Sequence, residues 1–160
     1  MLEAFLKGGI EMKPNIGKTV LGGVAGTLAI SFLMYVGAPV MGLPKMDIAA
    51  MLGQILGGWT PGIMMHVVNG VVIFPLLYAY LLFSRLPGTP TVKGITWGVV
   101  LWAMAQLLVL PMMGAGIFGL NTGGMMSVVA SLAGHVIYGA LLGGIAGQGD
   151  TETVRATVSV

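Results

Sequence analysis

Polar positions are rare along this chain and gather in short clusters between long apolar stretches. No charged residue occurs from Thr19 to Ala38. About 20 helical residues rise roughly 30 Å, the thickness of a bilayer core, so this stretch reads as a first membrane helix. Pro39 is expected to end it. A second span runs from Pro61 to Ser84 and stops at Arg85, with Thr60 as N-cap and Pro61 at the first helical position. Leu86-Pro87-Gly88-Thr89-Pro90 then reads as a tight turn. The third span covers Lys93 to about Gly114 and the fourth about Met125 to Gly147, joined by an uncharged connection with Asn121 and Thr122. Between the first two spans, Met46, Ala50, Met51 and Ile55 recur at helical spacing among Lys45, Asp47 and Gln54, which predicts a short interfacial helix. The pattern predicts an all-α fold: one integral-membrane four-helix bundle filling residues 1–160.

Composition narrows the function classes. Only 8% of residues are charged, 56% are hydrophobic and mean hydropathy is +0.97, which leaves too little polar surface for a soluble enzyme, a nucleic-acid binder or a disordered linker. A formal net charge of +2 points to neither an acidic partner nor nucleic acid. With no cysteine, thiolate metal sites, iron–sulfur clusters and Cys nucleophiles are excluded. The lead from Met1 to Lys18 carries Glu3, Lys7, Glu11 and Lys13, which suits a cytosolic segment better than a signal peptide. Four spans return both termini to one side, where Lys7, Lys13, Lys18, Arg85, Lys93 and Arg155 face a single Lys45 opposite. That bias predicts cytoplasmic termini in a multi-pass membrane protein, with residues 148–160 as a cytoplasmic tail.

The chain also matches itself. Thr19-Val20-Leu21-Gly22 and Gly26 lie over Thr91-Val92-Lys93-Gly94 and Gly98 at an offset of 72, as do Pro39 through Gly42 over Pro111 through Gly114. With three residues deleted, His66 and Gly70 align with His135 and Gly139. Residues 19–84 and 91–147 therefore read as tandem helix-pair repeats, related by a pseudo-two-fold axis along the membrane normal.

His66 and His135 are the only histidines, and an ionisable group within an apolar span is costly enough to mark a functional candidate. Each could simply join helices, by donating to a carbonyl or to Gln106 or Asn69. Alternatively, two-fold-related imidazoles could ligate a haem b, although their different helix depths and the lack of a nearby Arg for propionates count against it. Met64 and Met65 beside His66 add thioethers, a soft set suited to Cu(I) together with His135; methionine is equally an adaptable packing residue. Small residues at Gly22, Gly26, Gly62, Gly70, Gly94, Gly98, Gly139, Gly143 and Gly147 predict close helix packing, within the chain or against a partner. Asp47 with Lys45 marks the interface, and Trp59, Trp97 and Trp102 read as interface anchors. No catalytic residues emerge: no paired carboxylates lie in the membrane, Ser31, Ser127 and Ser131 lack a carboxylate-supported His, and no phosphate loop is present.

Pro39-Val40-Met41-Gly42-Leu43-Pro44-Lys45-Met46-Asp47, Met65-His66, Pro111-Met112-Met113-Gly114-Ala115-Gly116 and Gly134-His135-Val136-Ile137-Tyr138-Gly139 together resemble a family of small uncharacterised four-span bacterial inner-membrane proteins, a domain of unknown function. The resemblance extends from Lys18 to Gly147. It implies the architecture and the membrane, carries no activity, and favours the half away from the termini as the working end. The leading functional expectation is a small accessory subunit packing against other membrane-protein subunits of a larger complex, such as a respiratory terminal oxidase. The alternative is a membrane protein binding haem b or Cu(I) through His66 and His135.

Overall fold

A computed structural model describes residues 14–43, 45–121 and 124–147. The expected cytosolic lead up to Lys13 and the tail 148–160 lie outside the described residues. Four helices are long and apolar enough to cross a bilayer: α1 Ile16–Val40, α3 Trp59–Leu82, α4 Pro90–Met112 and α5 Gly124–Ala146. The short α2, Ile48–Leu56, sits between the first two spans. The protein is thus an all-helical, multi-pass membrane bundle.

Local chemistry sets the helix starts. Asn15 accepts from the Lys18 amide at 3.1 Å to cap α1, and Thr89 accepts from Val92 to cap α4, with Pro90 in the first turn. Gly57 and Gly58, at φ 85° and 150°, reverse the chain between α2 and α3. The reversal lets α3 begin at Trp59, two residues before the position predicted from Pro61.

Pro39 lies in the last turn of α1, which ends one residue later at Val40. A proline ring clashes with the carbonyl four residues back, and here the preceding turn, Leu33–Gly37, widens to a π-helical one that moves those carbonyls aside. The same device precedes Pro75, after Asn69–Ile73, and Pro111, after Ala105–Val109. Each widened turn shifts pairing to five residues ahead, so the carbonyl five before each proline has no helical donor. Gly70 is such a residue, and the Tyr138 hydroxyl donates to its carbonyl at 2.8 Å. Met34 is another, and the Met46 amide donates to its carbonyl at 3.4 Å. Tyr138→Phe should therefore cost about 1 kcal/mol in a reversible detergent unfolding titration. In a Pro75→Ala background, which restores an amide for Gly70, the cost should shrink; equal costs in both backgrounds would refute the account.

Lipid tails are as apolar as leucine, so helix association here depends on close backbone contact and hydrogen bonds, more than on apolar burial. Helix α5 is central. On one side Gly22 and Gly26 of α1 lie against the backbone of Leu142 and the ring of Tyr138; on the other, Gly94 and Gly98 of α4 lie against Gly139, Gly143 and the His135 carbonyl. Gly147 meets Pro90, Gly70 meets Thr27 and Gly62 meets Ala49 of α2. Leu28, Phe32, Leu108 and Val129 face outward to the bilayer.

The two ends of the bundle differ. Toward the end holding Lys18, Arg85 and Lys93, a core of Tyr78, Phe83, Trp97, Leu101, Tyr138 and Leu142 is closed. Tyr78 donates to the Pro90 carbonyl at 2.9 Å and Lys93 to the Phe83 carbonyl at 2.7 Å. Trp97 belongs to this core, 7% exposed and donating to the Phe74 carbonyl, which corrects the expectation of an interface anchor. The reason is its register: it lies one position before Gly98, on the face of α4 that turns inward. The other end is hollow.

Candidate functional site

Asp47 organises the hollow end. Its Oδ1 accepts from the Tyr35 hydroxyl of α1 at 2.8 Å, from the Ala50 amide of α2 at 3.0 Å and from the Trp59 indole of α3 at 3.1 Å. Lys45 lies 3.4 Å from its second oxygen and over the Tyr35 ring. One carboxylate thus ties α2 to two spans, a larger role than marking the interface. The Ala50 amide first, then Tyr35, Trp59 and Lys45, hold its pKa at about 2. Because the folded value is depressed, this contribution is full above about pH 4 and fades as pH falls through 2. Partial solvent exposure limits it to about 1 kcal/mol. Asp47→Asn should remove that dependence and change Trp59 fluorescence at neutral pH; an unchanged acid-titration curve would count against the tie.

Behind α2 lie three adjoining cavities. The outer one, about 280 Å³, is lined by Lys45, Asp47 and Gln54 together with Ser127, Phe118 and Gln106. The middle one, about 180 Å³, shares Met46, Met51, Gln106 and Leu110 with it and reaches His66, Asn69, Ser131 and His135. The inner one, about 70 Å³, shares both histidines with the middle cavity and ends at Thr27, Gly70 and Tyr138. His66 and His135 therefore face common spaces despite their different positions along α3 and α5.

Each imidazole has one fixed contact. His135 Nδ1 lies 2.8 Å from the Ser131 carbonyl of its own helix, so it donates there and the neutral ring keeps its lone pair on Nε2. His66 Nε2 lies 3.1 Å from the Ser31 hydroxyl of α1. Gln106, 2% exposed, donates from Nε2 to the Ser131 hydroxyl at 3.3 Å. Of the partners expected from the sequence, a carbonyl, Gln106 or Asn69, His135 uses a carbonyl, that of its own helix, and His66 meets the Ser31 hydroxyl instead. Among the described residues, two buried side-chain oxygens have no partner: Gln106 Oε1 and Thr27 Oγ1.

Thioethers also line the middle cavity, but from Met34, Met46, Met51 and Met104. Met64 and Met65, the expected ligands, are 61% and 37% exposed and line none of the three cavities. They sit one and two positions before His66, and at about 100° per residue a helix turns them away from its face. Met34 and Met104 carried no local signal, since methionine abounds in the spans. Gln106 was visible as a lone amide in an apolar stretch; Thr27 was not distinguishable from other span threonines. The two spaces that both histidines line, about 180 and 70 Å³, are small beside a porphyrin, which needs more than the roughly 300 Å³ of small-ligand pockets. Among the described residues no three His, Asp or Glu side chains converge, so a hard-cation site lacks its donor set.

A family model, described as a family of unknown function, matches residues 14–156. The chain belongs to the DUF6789 family. No curated protein and no solved structure matches it. In this DUF6789 chain the matched region takes in all four spans and every residue of the cavities.

Proposed function

We propose that this DUF6789 protein binds a soft monovalent metal ion, Cu(I), at the cavity between His66 and His135. The observation that carries the reading is the lining itself: two imidazoles and four thioethers, with no charged side chain on the middle or inner cavity. Neutral nitrogen and sulfur donors suit Cu(I) and reject Mg²⁺ or Ca²⁺. His135 has the arrangement usual in metal ligands, one ring nitrogen donating to a carbonyl and the other left for the ion. The test is anaerobic titration of the purified protein with Cu(I), or Ag(I) as its redox-inert analogue, together with metal analysis of protein from native membranes. Saturable one-to-one binding supports the reading; none at micromolar concentration overturns it.

The accessory-subunit reading rests on two arguments: the chain has little mass outside its spans, and it has more glycine faces than one bundle needs. Within the described residues Gly22, Gly26, Gly94, Gly98, Gly139, Gly143 and Gly147 are occupied by the chain itself, as are Gly62 and Gly70, so the second argument loses its basis while the first stands. Native purification still distinguishes the two readings: larger membrane chains, such as an oxidase, in constant ratio without metal would favour the subunit role.

The placement we propose has both termini cytoplasmic, on the six-to-one sorting of Lys and Arg, in the bacterial inner membrane that the family resemblance implies. The cavities then open on the opposite side. We also propose a tandem repeat. The widened turns Leu33–Gly37 and Ala105–Val109 share the offset of 72, and Gly23 against Gly70 corresponds to Ile95 against Gly139.

A further inference from the structure

Gln106 and Thr27 stand in spaces that should not be dry. Both are at least nine-tenths buried, both present an oxygen without a partner, and each lines a cavity shared with His66 and His135. A buried amide or hydroxyl oxygen left unpaired costs about 1–3 kcal/mol, and inside a bilayer the only inexpensive remedy besides protein is water. The spaces are large enough, since one water requires only about 10–15 Å³ of such volume and the smallest cavity has about 70 Å³. They also adjoin in sequence, outer to middle through Gln106 and Leu110, middle to inner through the two histidines.

We infer that the three cavities form one water-filled well, open at the Lys45 and Asp47 end, with Gln106 at its throat and the histidine pair near its floor. Small water-soluble species reach His66 and His135 through that mouth. At the floor stands Tyr138, tied to the Gly70 carbonyl, with the aromatic core beyond it. At the mouth Phe118 holds a left-handed backbone, φ 57°, and its ring lies 6.0 Å from that of Trp102. A non-glycine residue held there stores about 1 kcal/mol or more, a cost often found beside working sites. The well does not depend on what the histidines hold.

The natural chain has no cysteine, so single cysteines can be read without background. Ser131→Cys in the middle cavity and Met51→Cys nearer the mouth would be treated with a charged, membrane-impermeant methanethiosulfonate in oriented vesicles. Gln54→Cys and Pro87→Cys report which side is which. Only a thiol that meets water ionises and reacts, so both test positions should label from the Gln54 side roughly tenfold or more faster than Leu28→Cys on the lipid face or Leu142→Cys in the core. Labelling of Ser131→Cys from the Pro87 side, or by the permeant N-ethylmaleimide alone, would overturn the well. Met51→Cys decides the matter if Ser131→Cys fails to fold.

Discussion

Replacing His135 with Ala is expected to weaken Ag(I) or Cu(I) binding by about 100-fold or more, because a metal ligand is lost where even its supporting contacts are worth 10–100-fold. Ser31→Ala, which frees the His66 ring from its one fixed contact, should cost about tenfold. Met104→Leu removes a cavity thioether at nearly constant volume and should fall between the two. Met64→Leu and Met65→Leu should leave the affinity unchanged, since those side chains face outward. Titration of the whole set, each variant first checked for a single detergent-solubilised species, gives a pattern that a nonspecific methionine effect cannot imitate. If Met64→Leu matched His135→Ala, the cavity would not be the site.

The largest loss of stability is expected from Gly94→Val. A Cβ at Gly94 would fall on the Gly139 carbonyl and close to the Gly143 backbone, and backbone cannot step aside as a flexible side chain can. Overpacking of that kind costs about 3 kcal/mol even in tolerant cores, and here it separates the helix pair on which α5 is centred. The midpoint of thermal aggregation in detergent should fall sharply, and metal binding should fall with it, because α4 carries Gln106 and Met104. Gly42→Ala makes a useful contrast. Its φ of 76° strains any L-residue, yet nothing lies within 4 Å, so its cost should stay near 1 kcal/mol. A Gly94→Val variant as stable as the parent would mean that α4 and α5 do not pack as described.

Charge patterning and run length made the spans legible, because the bilayer imposes a length and a polarity that few sequences meet by accident. The boundaries moved by two or three residues where capping won over polarity: α4 starts at Pro90 because Thr89 caps it, while Lys93 folds back onto the Phe83 carbonyl. Pro39 was misleading by one residue, since a proline normally signals a break and here a wider turn absorbs it; the same device carries α3 and α4 through Pro75 and Pro111, as the predicted spans required. The histidines were conspicuous because no Asp, Glu, Lys or Arg shares their spans. Their companions were not. Met34, Met104 and Thr27 come to His66 and His135 through three-dimensional packing of α1 and α4 against α5, which no single span's pattern encodes. Asp47 was visible, but its three donors come from three helices and only the fold assembles them.

The widened turns have a consequence for anyone scanning this protein. An α-helix advances about 100° per residue, and a π-helical turn takes up one residue more than an α-turn does. A periodic lipid-exposure or tryptophan scan should therefore slip in phase by roughly one residue at Leu33 in α1 and at Ala105 in α4, and twice in α3, at Asn69 and again at the π-helical turn Tyr78–Leu82. Helix α5, α-helical from Gly124 to Ala146, should keep a single phase from end to end.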